Sequence, residues 1–319
     1  YLNNLFSILS EILNLEKKYP LLFKTATYLK TKSPMFKNTI PKQMKNNFNF
    51  ELDERICENG LKMSNNDYNI YCSNLNNLID MSKEFLKLQK NLEETGKYLY
   101  SKFDEVEKNE YNVNNEVDGP DYLWGLYFSE IFWKIHHNFT NFSLNNFMSD
   151  LPSTGNILEV PSGTGFFLCE FLRKNPNWFA VGVDLADSAI EFSHKLFQVN
   201  KISKNSYKII KMNFHQLEPN KKYERILCGE FLEHLEDPLS ALKKLKSLLT
   251  NNGKLFVTAA VWAAHIDHIF LYKSSEEVRN HIKKAGLKIE KELVQAVFEK
   301  DEADPEKEKI PVSYAAILS

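Results

Sequence analysis

The fold is decided by residues 156–184, which read NILEVPSGTGFFLCEFLRKNPNWFAVGVD. Residues 156–160 are a short apolar run of the kind that forms a buried strand. A turn of small residues follows at 161–165, and apolar residues then recur at helical spacing over 166–174. Residues 180–184 form a second strand that ends on an aspartate. This order of strand, glycine turn, helix, strand and acid predicts the first βαβ unit of a nucleotide-binding sheet.

The turn has specific physical properties. Gly163 and Gly165 allow backbone conformations that a Cβ would forbid, and they let a ligand approach the main chain closely. The N–H groups at the start of the next helix can bind polar or anionic groups. Asp184 lies nineteen residues after Gly165, where an acid can accept hydrogen bonds from ribose hydroxyls. The unit therefore predicts a site for a nucleotide-type cofactor.

Two nucleotide-binding families use such a turn. The dehydrogenase fingerprint G-x-G-x-x-G needs a third glycine, which P-S-G-T-G lacks at that offset. The stretch instead resembles motif I of class I S-adenosyl-L-methionine (SAM) methyltransferases, E/D-x-G-x-G-x-G, with Glu159 as the acid. Pro161 stands at the first glycine position, where proline removes a donor and fixes φ. Either the turn keeps its shape through Ser162 and Gly163, or the affinity for the cofactor is reduced.

The resemblance covers about residues 120–319, and it implies both a cofactor and a fold. The cofactor is S-adenosyl-L-methionine. The fold class is α/β, a Rossmann-like class I methyltransferase sheet of seven strands with the last one antiparallel, preceded by an N-terminal helical domain or lid. The implied cofactor-binding residues are Glu159, Pro161, Ser162, Gly163, Thr164, Gly165, Asp184, Leu185, Asn213, Phe214 and Glu230.

Strands and helices alternate after residue 184, which favours a largely parallel sheet with helices on both faces. Helices are predicted at 187–200, 240–249 and 275–285, and strands at 207–210, 223–229, 254–260, 288–298 and 312–318. The segment EFLEHLEDP at 230–238 and the turn NNGKL at 251–255 are similar to segments of small-molecule methyltransferases.

The N-terminal third shows no such alternation. Apolar spacing predicts a helix over residues 2–13 that ends before Pro20, a loop over 31–50, a helix beginning near Asp53, a long helix over 67–103 and a polar link over 105–118. The buried stripe of the long helix is predicted to be Leu75, Leu78, Ile79, Phe85, Leu88, Leu92 and Leu99. We expect residues 1–118 to be a helical domain that covers the cofactor or forms a dimer. The alternative is that these helices only complete the core.

Residues 119–150 are rich in aromatic side chains and precede the methyltransferase core at 151–319. In the resembling family this position commonly carries a lid or connector helix. Substrate contacts are therefore predicted for Tyr122, Tyr127 and His136, together with Trp262; the neighbouring histidine, His137, is the alternative to His136. Packing is the other explanation, because aromatic stripes at helical spacing usually fill a core.

The candidate catalytic residues follow the fifth strand, in the segment WAAHIDH at 262–268. Methyl transfer to a hydroxyl requires an aligned acceptor and removal of its proton. Two histidines three residues apart suit a base near neutral pH. We assign catalysis to His268 or His265, with a slight preference for His268, and with Asp267 and Glu230 as supporting acids. The alternative is a loop histidine that caps a helix or faces solvent.

A metal site is the less favoured interpretation of Glu230, Glu233 and His234. Their spacing predicts one shared helix face, and their ligand types suit a divalent ion. The alternative is that these residues hold the loop and contact the sulfonium side of the cofactor. Our expectation is that no metal is required.

Composition limits the partners. The 319 residues carry a net charge of −2, so the basic field typical of nucleic-acid binding is missing. The four cysteines form no CxxC pair, which favours reduced thiols and a cytoplasmic location, and no apolar run is long enough for a membrane span. The first residue is Tyr, consistent with an excised domain. We expect a small-molecule or carrier-protein-bound substrate, no nucleic acid, no membrane, and a homodimer or part of a megasynthase.

The function implied by the resemblance is transfer of a methyl group to a hydroxyl of a small-molecule or carrier-tethered, polyketide-type intermediate. The chain is similar to O-methyltransferases of natural-product biosynthesis, including polyketide synthase domains. Methylation of carbon or nitrogen is one alternative, and a SAM-binding module without catalysis is another. A protein or RNA methyltransferase is a third, although the N/D-P-P-Y signature and a basic stripe are missing.

Overall fold

The computed structural model describes residues 12–46, 48–111, 119–298 and 304–319. The predicted helix over 2–13 lies outside the described residues up to residue 11, and residues 12–18 are helical. The predicted polar link over 105–118 lies outside them from residue 112 onward.

A seven-stranded mixed sheet forms the centre of the fold. Its strands are β1 Asn156–Glu159, β2 Phe179–Asp184, β3 Tyr207–Lys211, β4 Tyr223–Cys228, β5 Leu249–Val261, β6 Ile289–Ala296 and β7 Val312–Leu318. The strand order is β3-β2-β1-β4-β5-β7-β6. Strands β1 to β5 pair in parallel, and β7 runs antiparallel to both β5 and β6. The predicted fold class is confirmed.

Helices cover both faces of the sheet and build the N-terminal region. Before the sheet come α1 Pro20–Lys32, α2 Pro34–Asn46, α3 Phe50–Met63, α4 Tyr68–Thr95, α5 Phe103–Val106, α6 Pro120–Phe132 and α7 Lys134–Phe142. Between the strands lie α8 Phe166–Lys174, α9 Asp187–Val199, α10 Pro238–Leu248 and α11 Ser275–Lys284. Short π-helical turns occupy Glu107–Tyr111 and Ser143–Phe147, and 3₁₀ turns occupy Phe214–Gln216 and Leu232–His234. No helix among the described residues has the length and apolarity that a bilayer crossing requires.

Helix α2 corrects the loop predicted over 31–50. Pro41 lies inside this helix, where proline removes a backbone hydrogen bond. Phe36 and Ile40, each at most 1% exposed, bury one face of the helix. Apolar burial of two large side chains offsets the missing bond, and local composition could not reveal that contact.

Helix α4 is shorter than predicted. It ends at Thr95, because Gly96 adopts the left-handed conformation (φ +69°) and donates its N–H to the Leu92 carbonyl, a common way for a helix to stop. Leu99 was predicted to belong to the buried stripe but is 60% exposed. The predicted burial of Leu75, Leu78, Ile79 and Leu92 is confirmed.

Two smaller corrections concern segment boundaries. Strand β5 begins at Leu249, so residues 251–253 lie in the strand and not in a turn before it. Leu249 pairs with Tyr223 of β4 across a register shift, which explains the early start. The aromatic segment is broken at Trp133, whose extended backbone (φ −97°, ψ 115°) separates α6 from α7.

One hydrophobic core joins the N-terminal helices to a face of the sheet. It runs from Leu22 and Phe36 through Phe128 to Phe256 of β5. Arg55 of α3 also forms a two-pronged ion pair with the buried Glu170 of α8, at 2.7 and 3.1 Å. The N-terminal helices therefore complete the core, and the boundaries at 118/119 and 150/151 remain predictions.

Candidate active site

A cavity of about 1550 Å³ opens at the carboxyl edge of the sheet. Most of the predicted site residues line it: Glu159, Pro161, Ser162, Gly163, Thr164, Asp184, Leu185, Asn213, Phe214, Glu230, Tyr122, His136, His234, His265, Asp267 and His268. The strand edges and the N-terminal helices both contribute to its wall. One continuous space therefore contains the predicted cofactor and catalytic residues.

The glycine turn after β1 keeps its closed form with Pro161 in place. The peptide bond from Val160 to Pro161 is cis, and Gly163 and Gly165 have positive φ values of 47° and 69°. Ser162 donates its N–H to the Val183 carbonyl at 2.9 Å. The Ser162 bond holds the turn against the end of β2, and the effect of Pro161 on cofactor affinity stays a prediction.

Gly165 is the one predicted cofactor residue of the turn that does not line the cavity. It precedes α8, and a Cβ built on it would lie 2.6 Å from Ser193 Oγ of α9. Its positive φ and this close approach explain why glycine is required there. Its role is packing between the turn and α9.

Asp184 ends β2 and faces the same space. Its Oδ2 accepts the Gly163 N–H at 2.8 Å, and its Oδ1 accepts the Ala186 N–H at 3.0 Å. Burial raises the pKa of this carboxyl. Each carboxylate oxygen has more than one acceptor site, so Asp184 can bind the turn and a hydroxylated ligand together.

Two buried polar atoms beside the turn have no hydrogen-bond partner in the described protein: Glu159 Oε2 and Ser162 Oγ. Such atoms cost roughly 1–3 kcal/mol each when left unsatisfied. Burial raises the pKa of Glu159 well above its usual range. A ligand with several polar groups would satisfy both atoms, so the residues fit an adenosyl amino-acid cofactor.

The apolar side of this subsite comes from Leu185 and Phe214. Leu185 is 49% exposed, and Phe214 is 4% exposed. Asn213 Oδ1 accepts the His215 N–H at 2.9 Å, and this side chain caps the 3₁₀ turn that carries Phe214. Asn213 therefore positions the phenyl ring as well as lining the cavity.

Glu230 occupies a strained position after β4. Its φ is +44°, a region that non-glycine residues seldom adopt and that is associated with functional sites. The Thr258 hydroxyl accepts the Glu230 N–H at 2.7 Å and donates to Glu230 Oε1 at 2.6 Å. The strained backbone and the carboxylate are thus held by one side chain of β5.

The helix predicted to carry Glu230, Glu233 and His234 is absent from this described segment. Only a 3₁₀ turn over Leu232–His234 is present, and Leu235 returns to extended backbone. The positive φ of Glu230 excludes it from a right-handed helix. The three side chains therefore do not share one helix face.

Asp267 is the centre of the histidine cluster. Its Oδ2 lies 3.2 Å from His234 Nδ1, and its Oδ1 forms a short hydrogen bond with His265 Nδ1. Burial alone would raise the pKa of Asp267, but His234 and His265 hold it well below its usual range. An ionised, buried Asp267 therefore orients two imidazole rings.

His268 lies deeper in the same cluster. Its Nδ1 is 3.0 Å from the Ala263 carbonyl oxygen and donates to it in the neutral ring. Its ring centroid is 4.8 Å from that of His234. Burial, followed by the charges of His234 and His265, lowers its pKa well below the usual value. His268 is therefore neutral at neutral pH.

Two overlapping groups of described side chains could hold a metal ion. Glu233, His234 and His268 form one, and His265, Asp267 and His268 form the other; within each group the ligand atoms lie within 4.8 Å of one another. Both Glu233 oxygens are buried without a hydrogen-bond partner. Imidazole and carboxylate ligands suit zinc and related ions. Glu230 belongs to neither group, which corrects the predicted set.

Two predicted substrate residues lie away from the cavity wall. Tyr127 is fully buried and donates its hydroxyl to the Ile56 carbonyl. Trp262 directs its indole N–H to the Lys273 carbonyl at 2.9 Å. His137, the alternative to His136, is also fully buried, 3.6 Å from Asp53. Helical or loop position alone could not tell which side of the chain faces the core.

Tyr122 and His136 do line the cavity. The Tyr122 ring lies 5.3 Å from the His265 ring, centroid to centroid. His136 Nδ1 is 2.6 Å from Ser129 Oγ, and burial lowers its pKa. The lid segment thus contributes one side chain beside the candidate base and one farther along the wall.

Sequence reasoning missed three residues. Gln89 of α4 and Tyr98 bind the loop backbone at residues 262–264. Glu130 of α6 lines the cavity, and burial raises its pKa to about 8. Gln89 and Glu130 are ordinary polar residues within helices, Tyr98 lies just after α4, and no motif marks any of the three.

The chain is similar to known proteins in both sequence and fold. Residues 158–255 match the methyltransferase domain family. The ubiquinone biosynthesis O-methyltransferase of Neisseria meningitidis serogroup C (strain 053442) is 25% identical over 101 residues, 31% of this chain and 42% of that protein. N-methyltransferase 4 of Papaver somniferum is 29% identical over 115 residues, 35% of this chain and 32% of that protein. The chain thus spans less than half the length of these relatives.

A SAM-dependent methyltransferase from Thiobacillus denitrificans, solved with S-adenosyl-L-homocysteine, is similar in structure. The TM-score is 0.45 at 13% identity, covering 57% of this chain and 90% of that one. The family match confirms the resemblance predicted from motif I, and with it the prediction of S-adenosyl-L-methionine as cofactor.

Proposed function

We propose that this protein transfers a methyl group to a hydroxyl of a small-molecule or carrier-tethered natural-product intermediate, because residues 158–255 match the methyltransferase domain family. The observation that carries the proposal is the His265–Asp267 pair, which lines the same cavity as the glycine turn and Asp184. A hydroxyl acceptor needs a base to remove its proton. This pair provides a histidine that can accept the proton and a carboxylate that orients it.

The cofactor end of the cavity is formed by the first two strand ends. When bound, S-adenosyl-L-methionine supplies an activated methyl group on a sulfonium. Asp184 accepts hydrogen bonds from hydroxyls, while Ser162 Oγ and Glu159 Oε2 gain the partners that they lack. Leu185 and Phe214 offer apolar faces to an aromatic base. This chain therefore binds the cofactor mainly through the turn and Asp184.

We assign the role of general base to His265. Asp267 binds Nδ1 of this ring and, as a buried carboxylate with a lowered pKa, favours the tautomer with its proton on Nδ1. Nε2 is then the atom that takes the proton of the acceptor hydroxyl, and Asp267 stabilises the imidazolium that results.

His268 was the slightly preferred base in the sequence, and the geometry favours His265 instead. The Ala263 carbonyl, not a carboxylate, orients His268, and its lowered pKa makes it a weak proton acceptor. Tyr122 packs against His265 at 5.3 Å, which limits the ring's orientations. His268 is assigned a supporting role in the wall beside the base.

Methylation of nitrogen is the second candidate. The relatives include both an O-methyltransferase and an N-methyltransferase by name. A neutral amine acceptor needs less help from a base, so loss of His265 would affect its methylation less than that of a hydroxyl. The two candidates therefore differ in their dependence on His265.

The test combines binding with transfer. Calorimetry with S-adenosyl-L-homocysteine measures cofactor binding, and transfer of a labelled methyl group to panels of alcohols, phenols, amines and carbon acids measures activity. We expect saturable binding and transfer to a hydroxyl. Binding with no transfer to any panel would favour a non-catalytic module, and transfer only to amines would overturn O-methylation.

A further inference from the structure

The cavity is larger than one cofactor needs. Ligand pockets commonly measure roughly 300–1,000 Å³, whereas this one measures about 1550 Å³. The strand-edge residues that suit the cofactor account for only one end of it. A second, large ligand therefore has room beside the cofactor.

The remaining space is an arm between the N-terminal helices and residues 297–298, which follow β6. We call it the apolar arm, and its apolar lining consists of Met35, Phe36, Met81, Phe85, Leu86, Trp133, Ile135, Phe139, Val297 and Phe298. Methionine side chains adapt to irregular ligands. Nothing in the proposed chemistry uses these residues.

A row of aromatic side chains in contact extends along this arm to the protein surface. His136 lies 5.0 Å from Trp133, Trp133 lies 5.8 Å from Phe85, and Phe85 lies 6.3 Å from Phe298, between ring centroids. The Trp133 indole is fixed by a 2.9 Å hydrogen bond to Ser82 Oγ. Phe298 is 38% exposed and Leu86 is 45% exposed, so the apolar lining continues to the protein surface.

Among the described residues, the side chains that line the arm are mainly apolar, and few of them carry a buried charge. Lys42, Lys45, Glu84 and Lys134 line it but are exposed, as expected for side chains at an opening. The buried Glu130 has a pKa of about 8, which leaves it mostly neutral at neutral pH. A compact polar ligand would leave most of this lining unused.

We propose that the apolar arm binds a long hydrocarbon chain of the substrate, whose methyl-accepting hydroxyl then lies beside His265. The inference rests on the proposed function and names the substrate class, a hydroxylated molecule with an extended hydrocarbon chain. Burial of the chain supplies affinity in proportion to its length, at about 0.8 kcal/mol per methylene.

The first experiment uses chain length as its variable. The fluorescent probe 11-(dansylamino)undecanoic acid is bound to the full chain and displaced by 1-butanol, 1-hexanol, 1-octanol and 1-decanol. The expected gain in affinity is about fourfold per added methylene. Equal affinities for hexanol and decanol, or stronger displacement by the compact alcohol 1-adamantanol than by decanol, would overturn the proposal.

The second experiment locates the probe with matched variants. Thr39 lines the arm from α2 and bonds the Met35 carbonyl, whereas Thr31 of α1 bonds the Tyr28 carbonyl and does not line the cavity. Both are exposed helical threonines. Thr39→Trp should weaken probe binding by at least tenfold, and Thr31→Trp should leave it unchanged.

A second pair of variants keeps the test valid if Thr39→Trp does not fold. Leu86→Asp places a charge in the arm, and Leu99→Asp places one at an exposed leucine outside it. Equal effects within both pairs would refute the assignment. Calorimetry with S-adenosyl-L-homocysteine is performed on the same wild-type protein. If the wild type does not bind this molecule, the result counts against the proposed function. If it does bind, but the affinity for alcohols does not depend on their chain length, the result counts against the apolar arm alone.

Discussion

Gln89 and Trp262 are joined by a 2.9 Å hydrogen bond across 173 residues of sequence. The Gln89 side-chain amide donates to the Trp262 carbonyl, and its oxygen accepts the Ala264 N–H at 3.0 Å. Trp262 has a left-handed φ of +50°. Tyr98 adds a 2.8 Å bond to the Ala263 carbonyl. Helix α4 and the segment after it therefore fix the loop that carries His265 and His268.

Replacing Gln89 by alanine should lower both stability and turnover. Gln89 is 2% exposed, so the variant leaves the Trp262 carbonyl and the Ala264 N–H without this partner. Each unsatisfied buried group costs about 1–3 kcal/mol of stability. Urea denaturation measures the stability. The turnover number should fall while S-adenosyl-L-homocysteine affinity stays within twofold, because Gln89 does not line the cavity.

Gln198→Ala is the matched control, since Gln198 is an exposed helical glutamine of α9. A Gln89→Ala enzyme with unchanged turnover would mean that the loop does not need this clamp. Partial rescue is expected in Gln89→Glu, which keeps the acceptor for Ala264 N–H but not the donor for the Trp262 carbonyl.

His265→Ala should reduce turnover by about 10²–10⁴-fold if this residue is the general base. Cofactor affinity should remain, because the glycine turn and Asp184 are untouched. Asp267→Asn should also reduce turnover, since an amide cannot stabilise the imidazolium. His194→Ala, a change at an exposed histidine of α9, is the control. A larger loss in His268→Ala than in His265→Ala would move the base assignment to His268.

Asp184→Ala should weaken S-adenosyl-L-homocysteine binding by about 10–100-fold. Hydrogen bonds to charged groups contribute about 1.5–3 kcal/mol, and the variant also frees the Gly163 N–H that Asp184 binds at 2.8 Å. Calorimetry checks the affinity. Asp187→Ala removes a nearby exposed carboxylate that pairs with Lys211 and should bind normally. Equal binding by the two variants would place the cofactor elsewhere.

Glu130→Gln should change how stability depends on pH. Burial raises the folded-state pKa of Glu130 to about 8 from 4.5, so the folded chain keeps a proton that the unfolded chain loses above pH 4.5. The contribution of Glu130 to the free energy of unfolding is therefore largest below pH 4.5, decreases as the pH rises, and becomes constant above pH 8. Glutamine does not titrate, so the variant does not lose stability as the pH rises. Its side-chain oxygen can still accept the hydrogen bond of the Thr140 hydroxyl.

Thermal unfolding at pH 5, 6.5 and 8 measures this effect. The melting temperature of Glu130→Gln relative to wild type should increase steadily over the series. Glu191→Gln, at an exposed position of α9, should show no such trend. A constant difference across the three pH values would mean that Glu130 ionises in the folded protein as it does in the unfolded one.

Much of the candidate site could be predicted because its residues are neighbours in sequence. The turn at 161–165 and the loop at 262–268 each follow a strand, and carboxyl ends of parallel strands meet at one edge. Tyr127 and Trp262 were misplaced, because their backbone positions are correct for the site but their side chains turn into the core. Side-chain direction depends on packing partners that local spacing does not specify.

The sequence by itself determined the βαβ unit, the alternation of strands and helices after it, and the acid at Asp184, because hydrophobic periodicity and glycine conformation act over a few residues. Only the tertiary structure decided that α2 is a helix despite Pro41, that Asp267 bridges His234 and His265, and that Gln89 holds the loop. These three arrangements depend on contacts between segments that are far apart in the chain. Burial and hydrogen bonding between those segments stabilise them, and local sequence does not specify such contacts.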